Sequence, residues 1–199
     1  TYNTALGYHA LGVLTTGNNN VAIGANALDA ETTGHGNVAI GKNALGLAYT
    51  GGYNVAVGYH AGDAITVGAT NIAIGYEALS AEQQGWATVA IGQEAGTYQN
   101  KGSTGATFNG LRNTAIGAYS MMGASGQSHS DNTAVGKDAL RVVSTGGYNT
   151  SLGTQSGKAI TTGASNCFVG GDAGLEVTTG SVNVAIGASC LDRMDGAVT

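Results

Sequence analysis

The chain has 199 residues, of which 35 are Gly and none is Pro, and only 10% of its residues are charged. A net charge of −5 gives no electrostatic reason to expect nucleic acid or an anionic membrane surface as a partner. No apolar stretch approaches the ~20 residues of a membrane span, so we expect no membrane insertion. The lack of Pro fits a chain that forms sheet hydrogen bonds throughout, since Pro would remove a donor.

A five-residue word recurs along the whole chain. It reads NTALG at 3 and NVAIG at 20, and variants of it begin at 37, 54, 71, 88, 113, 132, 149, 166 and 183. Eight of the ten intervals are 17 residues, and the other two are 25 and 19. A period this regular indicates one short unit stacked on copies of itself. We therefore expect a single domain over 1–199: an all-β, parallel β-solenoid or β-roll of about eleven 17-residue rungs, left-handed and oligomeric.

The positions of each unit can be numbered as columns, with the Asn of the word as column zero. Columns one and three are mostly β-branched or aliphatic, column two is nearly always Ala, and column four is always Gly. This alternation is typical of a strand, and Gly suits a corner with positive φ or a close neighbour. We expect about two short strands per unit, with columns one, three and eight inside. The predicted core ladder of column three is Ile23, Ile40, Val57, Ile74, Ile91, Ile116, Val135, Val169 and Ile186.

Column zero is Asn in ten of the eleven units. A stacked column of Asn indicates an amide ladder, in which each side chain bonds to the next rung or to the turn backbone. Thr88 interrupts this column just before the larger insertion, which predicts a local disturbance of the stack. The predicted ladder comprises Asn20, Asn37, Asn54, Asn71, Asn113, Asn132, Asn149, Asn166 and Asn183.

Two insertions fall within 97–112 and 118–131, where the period breaks. A solenoid tolerates insertions only at its corners, so we expect both to project as loops. These segments and their border bring together aromatic, basic and titratable groups, which are usual anchors of recognition. The candidate ligand-binding residues are Trp86, Tyr98, Lys101, Phe108, Arg112 and His129. An alternative is that Trp86 and Phe108 merely cover a disturbed stretch of the stack.

Other candidate chemistry is sparse, and we expect neither an enzyme nor a bound metal or cofactor. Glu77 and Glu94 share column six in adjacent rungs, about 5 Å apart along the stack. That distance is near the carboxyl separation of retaining glycosidases, but two solvated acids are the simpler interpretation. Columns twelve and thirteen carry repeated Thr, as on the flat faces of ice-binding solenoids. The alternative is β-favourable Thr leading into the Gly at column fourteen.

The words TTGNNNVAIGANAL at 15–28 and TTGHGNVAIGKNAL at 32–45 resemble the NTAIG-rich repeats of phage tail-fibre and related surface-fibre proteins. They also resemble the VAIG-type repeats in the heads of trimeric autotransporter adhesins, whose unit is shorter. The resemblance covers essentially the whole chain. It implies a rod or head of a trimeric appendage.

Assembly is also expected from the residues themselves. Columns two and seven are small, and we expect at least one of them to face outward and admit another subunit closely. The low fraction of charged residues also indicates assembly, because an isolated soluble rod would normally carry more than 10%. The chain starts in mid-unit and shows no capping element, so we expect a segment of a longer fibre or end-to-end pairing.

The expected function is therefore a non-catalytic fibre or filament segment. Its partner would be itself, as a homotrimer or end-to-end filament, in an extracellular, cell-surface or virion appendage. One alternative is an adhesin or receptor-binding module whose inserted loops bind a host receptor or glycan. Another is an ice-binding solenoid that uses the Thr ladder.

Overall fold

The computed structural model describes residues 2–48, 50–81, 85–97, 112–123 and 129–192. Within these ranges the chain forms eleven parallel strands and no helix. Each strand pairs with the next in one sheet, with equivalent columns opposite each other, which confirms the predicted parallel solenoid with its 17-residue spacing. The strands are β1 (Thr4–Leu6), β2 (Val21–Ile23), β3 (Val38–Ile40), β4 (Val55–Val57), β5 (Ile72–Ile74), β6 (Val89–Ile91), β7 (Thr114–Ile116), β8 (Thr133–Val135), β9 (Thr150–Leu152), β10 (Cys167–Val169) and β11 (Val184–Ile186).

Each unit contributes one strand in the described ranges, not the two that were expected, because left-handed backbone interrupts the rest of the rung. In the second unit, Gly24 ends β2 with a φ of 132°, and a Cβ there would lie 2.6 Å from the carbonyl oxygen of Gly41. Asn26, Leu28 and Asn19 have φ values of 55°, 51° and 57°. Column-four Gly is therefore required both by its φ and by the neighbouring rung, as predicted.

The predicted facing of the strands is wrong. Column two is inside: Ala22, Ala39 and Ala56 are completely buried. Column three faces outward, and Ile40 and Ile74 are 37% and 36% exposed. The residues placed in the core ladder are thus half-buried or exposed on the outer side of the sheet: Ile23, Ile40, Val57, Ile74, Ile91, Ile116, Val135, Val169 and Ile186.

The reason for this facing is the narrow interior of the rung. Column seven is also buried, as at Ala27 and Ala44, and it meets the large side chains of column eight, such as Leu28 and Leu45. Interior placement of column eight is confirmed, whereas the expectation that a small column faces outward is wrong. With Leu already inside, only a methyl group fits at column two, so the bulkier β-branched residues take the other face.

One rung shows this limit on volume directly. Phe168 occupies column two and is fully buried. Column eight is Gly in that rung and in the one before it, at Gly174 and Gly157. A Cβ on Gly174 would lie 2.7 Å from the Phe168 ring, and one on Gly157 would lie 3.0 Å from it. The ring therefore fills the space that Leu28 and Leu45 fill in their own rungs.

The amide ladder is confirmed. The backbone N–H of Asn54 donates to Oδ1 of Asn37 at 2.9 Å, and its Nδ2 donates to the carbonyl of Gly68 at 2.9 Å. Its own Oδ1 accepts from the backbone N–H of Asn71 at 2.9 Å. The same pattern recurs from Asn132 to Asn183, and these amides are nearly all buried. Each Asn thus links three successive backbone segments inside the stack.

Thr88 ends the first part of this ladder. Its backbone N–H donates to Oδ1 of Asn71 at 3.0 Å, as an Asn in that column would. Its Oγ1 is buried and has no hydrogen-bond partner among the described residues. The side chain therefore ends the ladder, because it lacks the amide that would extend it. β6 still pairs in register with β5 and β7, so the predicted disturbance is limited to the hydrogen bonds of this column.

Candidate functional site

The six predicted ligand-binding residues do not form one described site. Tyr98, Lys101 and Phe108 lie outside the described residues. Trp86, which is 39% exposed, and Arg112 lie in successive rungs, and the backbone N–H of Arg112 donates to the carbonyl of Trp86 at 3.3 Å. The structure therefore brings two of the six together at one corner.

Arg112 is engaged by a carboxylate. Its Nε and Nη2 donate to the two oxygens of Asp131 at 2.6 and 2.8 Å. This bond raises the pKa of Arg112 and lowers the pKa of Asp131. The bidentate pair links two rungs, and a ligand anion at Arg112 would have to compete with Asp131.

His129 is not a surface anchor, contrary to the prediction. It is 2% exposed, and its backbone carbonyl accepts from Nδ2 of Asn113 at 2.9 Å, the bond that column-fourteen Gly accepts in other rungs. Its Nδ1 lies 3.4 and 3.5 Å from Nδ2 of Asn113 and Asn132. Burial lowers the pKa of the imidazole to about 4. His129 is thus a neutral interior residue at pH 7.

The first notable surface is the outer face, which we define as the side chains of columns one and three on β1 to β11. It is a flat double row of Val, Ile, Leu and Thr with one Cys, and it carries no charged residue. Partial exposure extends along the row, with Val135 and Leu152 at 36% and 37%. No described segment of the chain covers this side of the sheet at those positions.

The second surface is a cleft of about 280 Å³ at the corner that follows column four. We call it the corner cleft, and it is lined by Asn26, Asp29, Asn43, Gly46, Leu47, His60 and Asp63 from three adjacent rungs. The His60 Nδ1 contacts the Asp63 carboxylate, and its Nε2 lies 2.9 Å from Nδ2 of Asn43. Nδ2 of Asn26 donates to Oδ1 of Asn43 at 3.2 Å. These side chains form a continuous hydrogen-bonded row.

Two tyrosines adjoin the corner cleft. The rings of Tyr59 and Tyr76 stack with centroids 5.5 Å apart and planes 7° apart, and they are 42% and 49% exposed. The ring centroids of Tyr59 and His60 lie 4.3 Å apart, and the Lys42 ammonium lies 5.7 Å from the centroid of Tyr59. The hydrogen bond between Tyr76 and Glu77 raises the pKa of Tyr76. Sequence reasoning missed this pair, although Tyr in column five of two successive units was a visible signal.

The Thr side chains of column twelve bond to the neighbouring rung where the structure describes them. Oγ1 of Thr15 donates to the carbonyl of Thr32 at 2.7 Å, and Oγ1 of Thr161 donates to that of Thr178 at 3.1 Å. These column-twelve hydroxyls therefore bond within the stack. Column thirteen remains exposed, as at Thr33, but it lies in a bend and not in a strand. The ice-binding prediction would have to rely on that one row.

Family models, curated proteins and solved structures were compared with the chain, and none matches it. In the part of the chain that the structure describes, no cluster of three or more His, Cys, Asp or Glu side chains could hold a metal ion. No helix in that part is long and apolar enough to cross a membrane. The outer face and the corner cleft are therefore the two candidate functional surfaces of the described residues.

Proposed function

We propose that this chain is a non-catalytic structural segment of a fibre exposed outside the cell or on a virion. We further propose that it assembles with copies of itself, as a homotrimer, through the outer face. The observation that carries the proposal is the uncharged double row of β-branched and aliphatic side chains on the outer side of the sheet.

A parallel sheet is normally covered on both faces. Here the inner side of β2 to β11 is buried by the rung itself, whereas Ile40, Ile74 and Leu152 on the other side keep more than a third of their surface exposed. A contiguous exposed apolar surface of this kind marks an interaction site in soluble proteins. Covering it removes apolar surface from water, which favours association.

The dimensions of the outer face suit a rod-shaped partner. Columns one and three lie about 7 Å apart, and ten strand spacings of about 4.8 Å extend the row to about 48 Å. With flanking side chains, that gives on the order of 500 Å² per copy, which a trimer would share between two neighbours, whereas a standard interface buries ~800 Å² per partner. Tyr53 and Tyr148, which are 69% and 67% exposed one residue before column zero, can widen the contact.

The identity of the partner follows from the repeat. A second copy presents the same row at the same spacing, so its side chains can interdigitate along the full length. The row is two side chains wide, which lets each copy offer column one to one neighbour and column three to another. This arrangement is a three-fold rod, a closed cyclic assembly.

A charge placed on the outer face tests the proposal. We expect Ile74→Lys to reduce the native particle to single chains, because it would bury an ammonium in the centre of the contact. The control is Thr154→Lys in column five, where Lys42 and Lys137 already occur. Light scattering after size exclusion should give the wild-type mass for the control. Equal masses for all three proteins would contradict assembly through this face.

A further inference from the structure

We propose that the corner cleft and the adjoining tyrosines bind a neutral saccharide of one or two sugar rings. This site is separate from the outer face, because its residues lie in columns five to ten, beyond the Gly that ends each strand. The proposal therefore does not depend on the assembly proposed above.

The cleft exists because one side chain is missing. Asp29, Gly46 and Asp63 share column nine in three successive rungs. The φ of Gly46 lies outside the left-handed region, and a Cβ there would come no closer than 3.3 Å to another residue, the carbonyl oxygen of Asn43. Unlike the Gly of column four, Gly46 is thus not required by the backbone. Its effect is to open a space between two carboxylates.

The polar row along the cleft is fixed in orientation. With its proton on Nδ1, His60 donates to Asp63 and accepts at Nε2 from Asn43. Oδ1 of Asn43 in turn accepts from Nδ2 of Asn26, and this bond fixes the orientation of the two amides relative to each other. Each amide has two N–H donors and a carbonyl oxygen with two lone pairs, and this row uses only part of that capacity. The remainder gives a ligand both donors and acceptors at set positions.

The tyrosine pair supplies an apolar wall beside these polar groups. Tyr59 contacts His60 through their rings, so the platform and the cleft form one surface. Its neighbour Tyr76 is held by the hydrogen bond to Glu77 and stacks parallel to it. Because the two rings stack on each other, they present their exposed edges as an apolar wall against which the C–H groups of a sugar ring can pack.

The chemistry of this surface selects the ligand class. A sugar combines an apolar ring face with hydroxyl groups that both donate and accept, which matches a platform beside an amide row. An anionic ligand would meet the carboxylates of Asp29 and Asp63, and a purely apolar ligand would leave the amides unpaired. The volume of about 280 Å³ lies just below the range of small-molecule pockets, which suits one or two rings.

The test measures binding of four neutral disaccharides, maltose, cellobiose, lactose and diacetylchitobiose, to the full chain by saturation-transfer NMR and titration. At least one should bind saturably with a Kd of about 1 mM. Tyr59→Ala, which removes half of the platform, and Gly46→Leu, which fills the cleft, should each weaken that binding at least about tenfold. Sialyllactose should bind no more tightly than lactose.

Matched controls separate the site from general effects of substitution. Tyr8→Ala removes an exposed tyrosine from column five of the first unit, and Gly12→Leu places the same side chain in column nine of that unit. Both should bind like the wild type, and all four variants should keep its melting temperature within a few degrees. The proposal is overturned if no disaccharide binds saturably, if sialyllactose binds more tightly than lactose, or if Tyr59→Ala and Gly46→Leu both bind normally.

Discussion

The amide ladder makes the sharpest prediction about stability, and Asn54→Ala tests it at the centre of an unbroken part. The substitution removes the Nδ2 bond to the carbonyl of Gly68 and the Oδ1 bond to the backbone N–H of Asn71, both at 2.9 Å. Both backbone groups are buried, so no water replaces the lost partner. An unsatisfied buried group costs about 1–3 kcal/mol. Two of them predict a loss of about 2–6 kcal/mol in the free energy of unfolding.

Urea unfolding followed by circular dichroism measures this loss, at one fixed protein concentration because assembly would add to the apparent stability. Asn18→Ala is the control, since it deletes the same amide from a half-buried position where its Oδ1 accepts only from Nδ2 of Asn19. We expect the control to lose less than about 1 kcal/mol. If the two variants lost the same amount, the ladder would not be the stabilising element described here.

Three further predictions concern Thr88, Gly41 and His129. Thr88→Asn should raise the free energy of unfolding by about 1 kcal/mol, because an amide would replace the unpaired Oγ1, and a lower melting temperature would contradict this. Gly41→Ala should lower the free energy of unfolding by more than about 2 kcal/mol, because its Cβ would lie 2.3 Å from the carbonyl oxygen of Gly58. The control Gly171→Ala has open space around its Cβ and should leave the melting temperature unchanged. His129 has a pKa of about 4 in the folded chain and near 6.5 when unfolded, so protons bind the unfolded chain preferentially and stability falls as pH drops from 6.5 to 4. Relative to His129→Leu, the wild type should lose up to about 3 kcal/mol over that window, and parallel pH profiles would refute the assignment. Glu31, whose pKa burial raises, acts with the opposite sign in both proteins and cancels in the comparison.

The repeat period made the fold predictable. It did not predict which side of each strand faces the interior. Alternation places columns one and three on one side and column two on the other, but it does not say which side is inside. Hydrophobicity favoured the larger residues of columns one and three as the interior ones. The narrow rung, however, has room only for the smaller residues of column two. One signal was available in the sequence: Phe168 in column two coincides with Gly in column eight at Gly174 and Gly157. Such compensation requires the two columns to share the interior.

The candidate site was less predictable because it depends on neighbouring rungs. The corner cleft needs Asn26, Asn43 and His60 to align through three units and Gly46 to leave a gap among them. None of these residues forms a motif along the chain. His129 was placed on the surface since it lies near an insertion, although it stands in a rung that lacks the column-fourteen Gly. That missing Gly was the clue that His129 occupies an interior position.

We propose that the outer face is the contact between copies of this chain. Sedimentation equilibrium of the unmodified protein at micromolar concentration tests it most directly, because the result does not depend on molecular shape. Assembly through the outer face should give a particle of three chains, each of 19.6 kDa. A stable particle of one chain across the concentration range would contradict it.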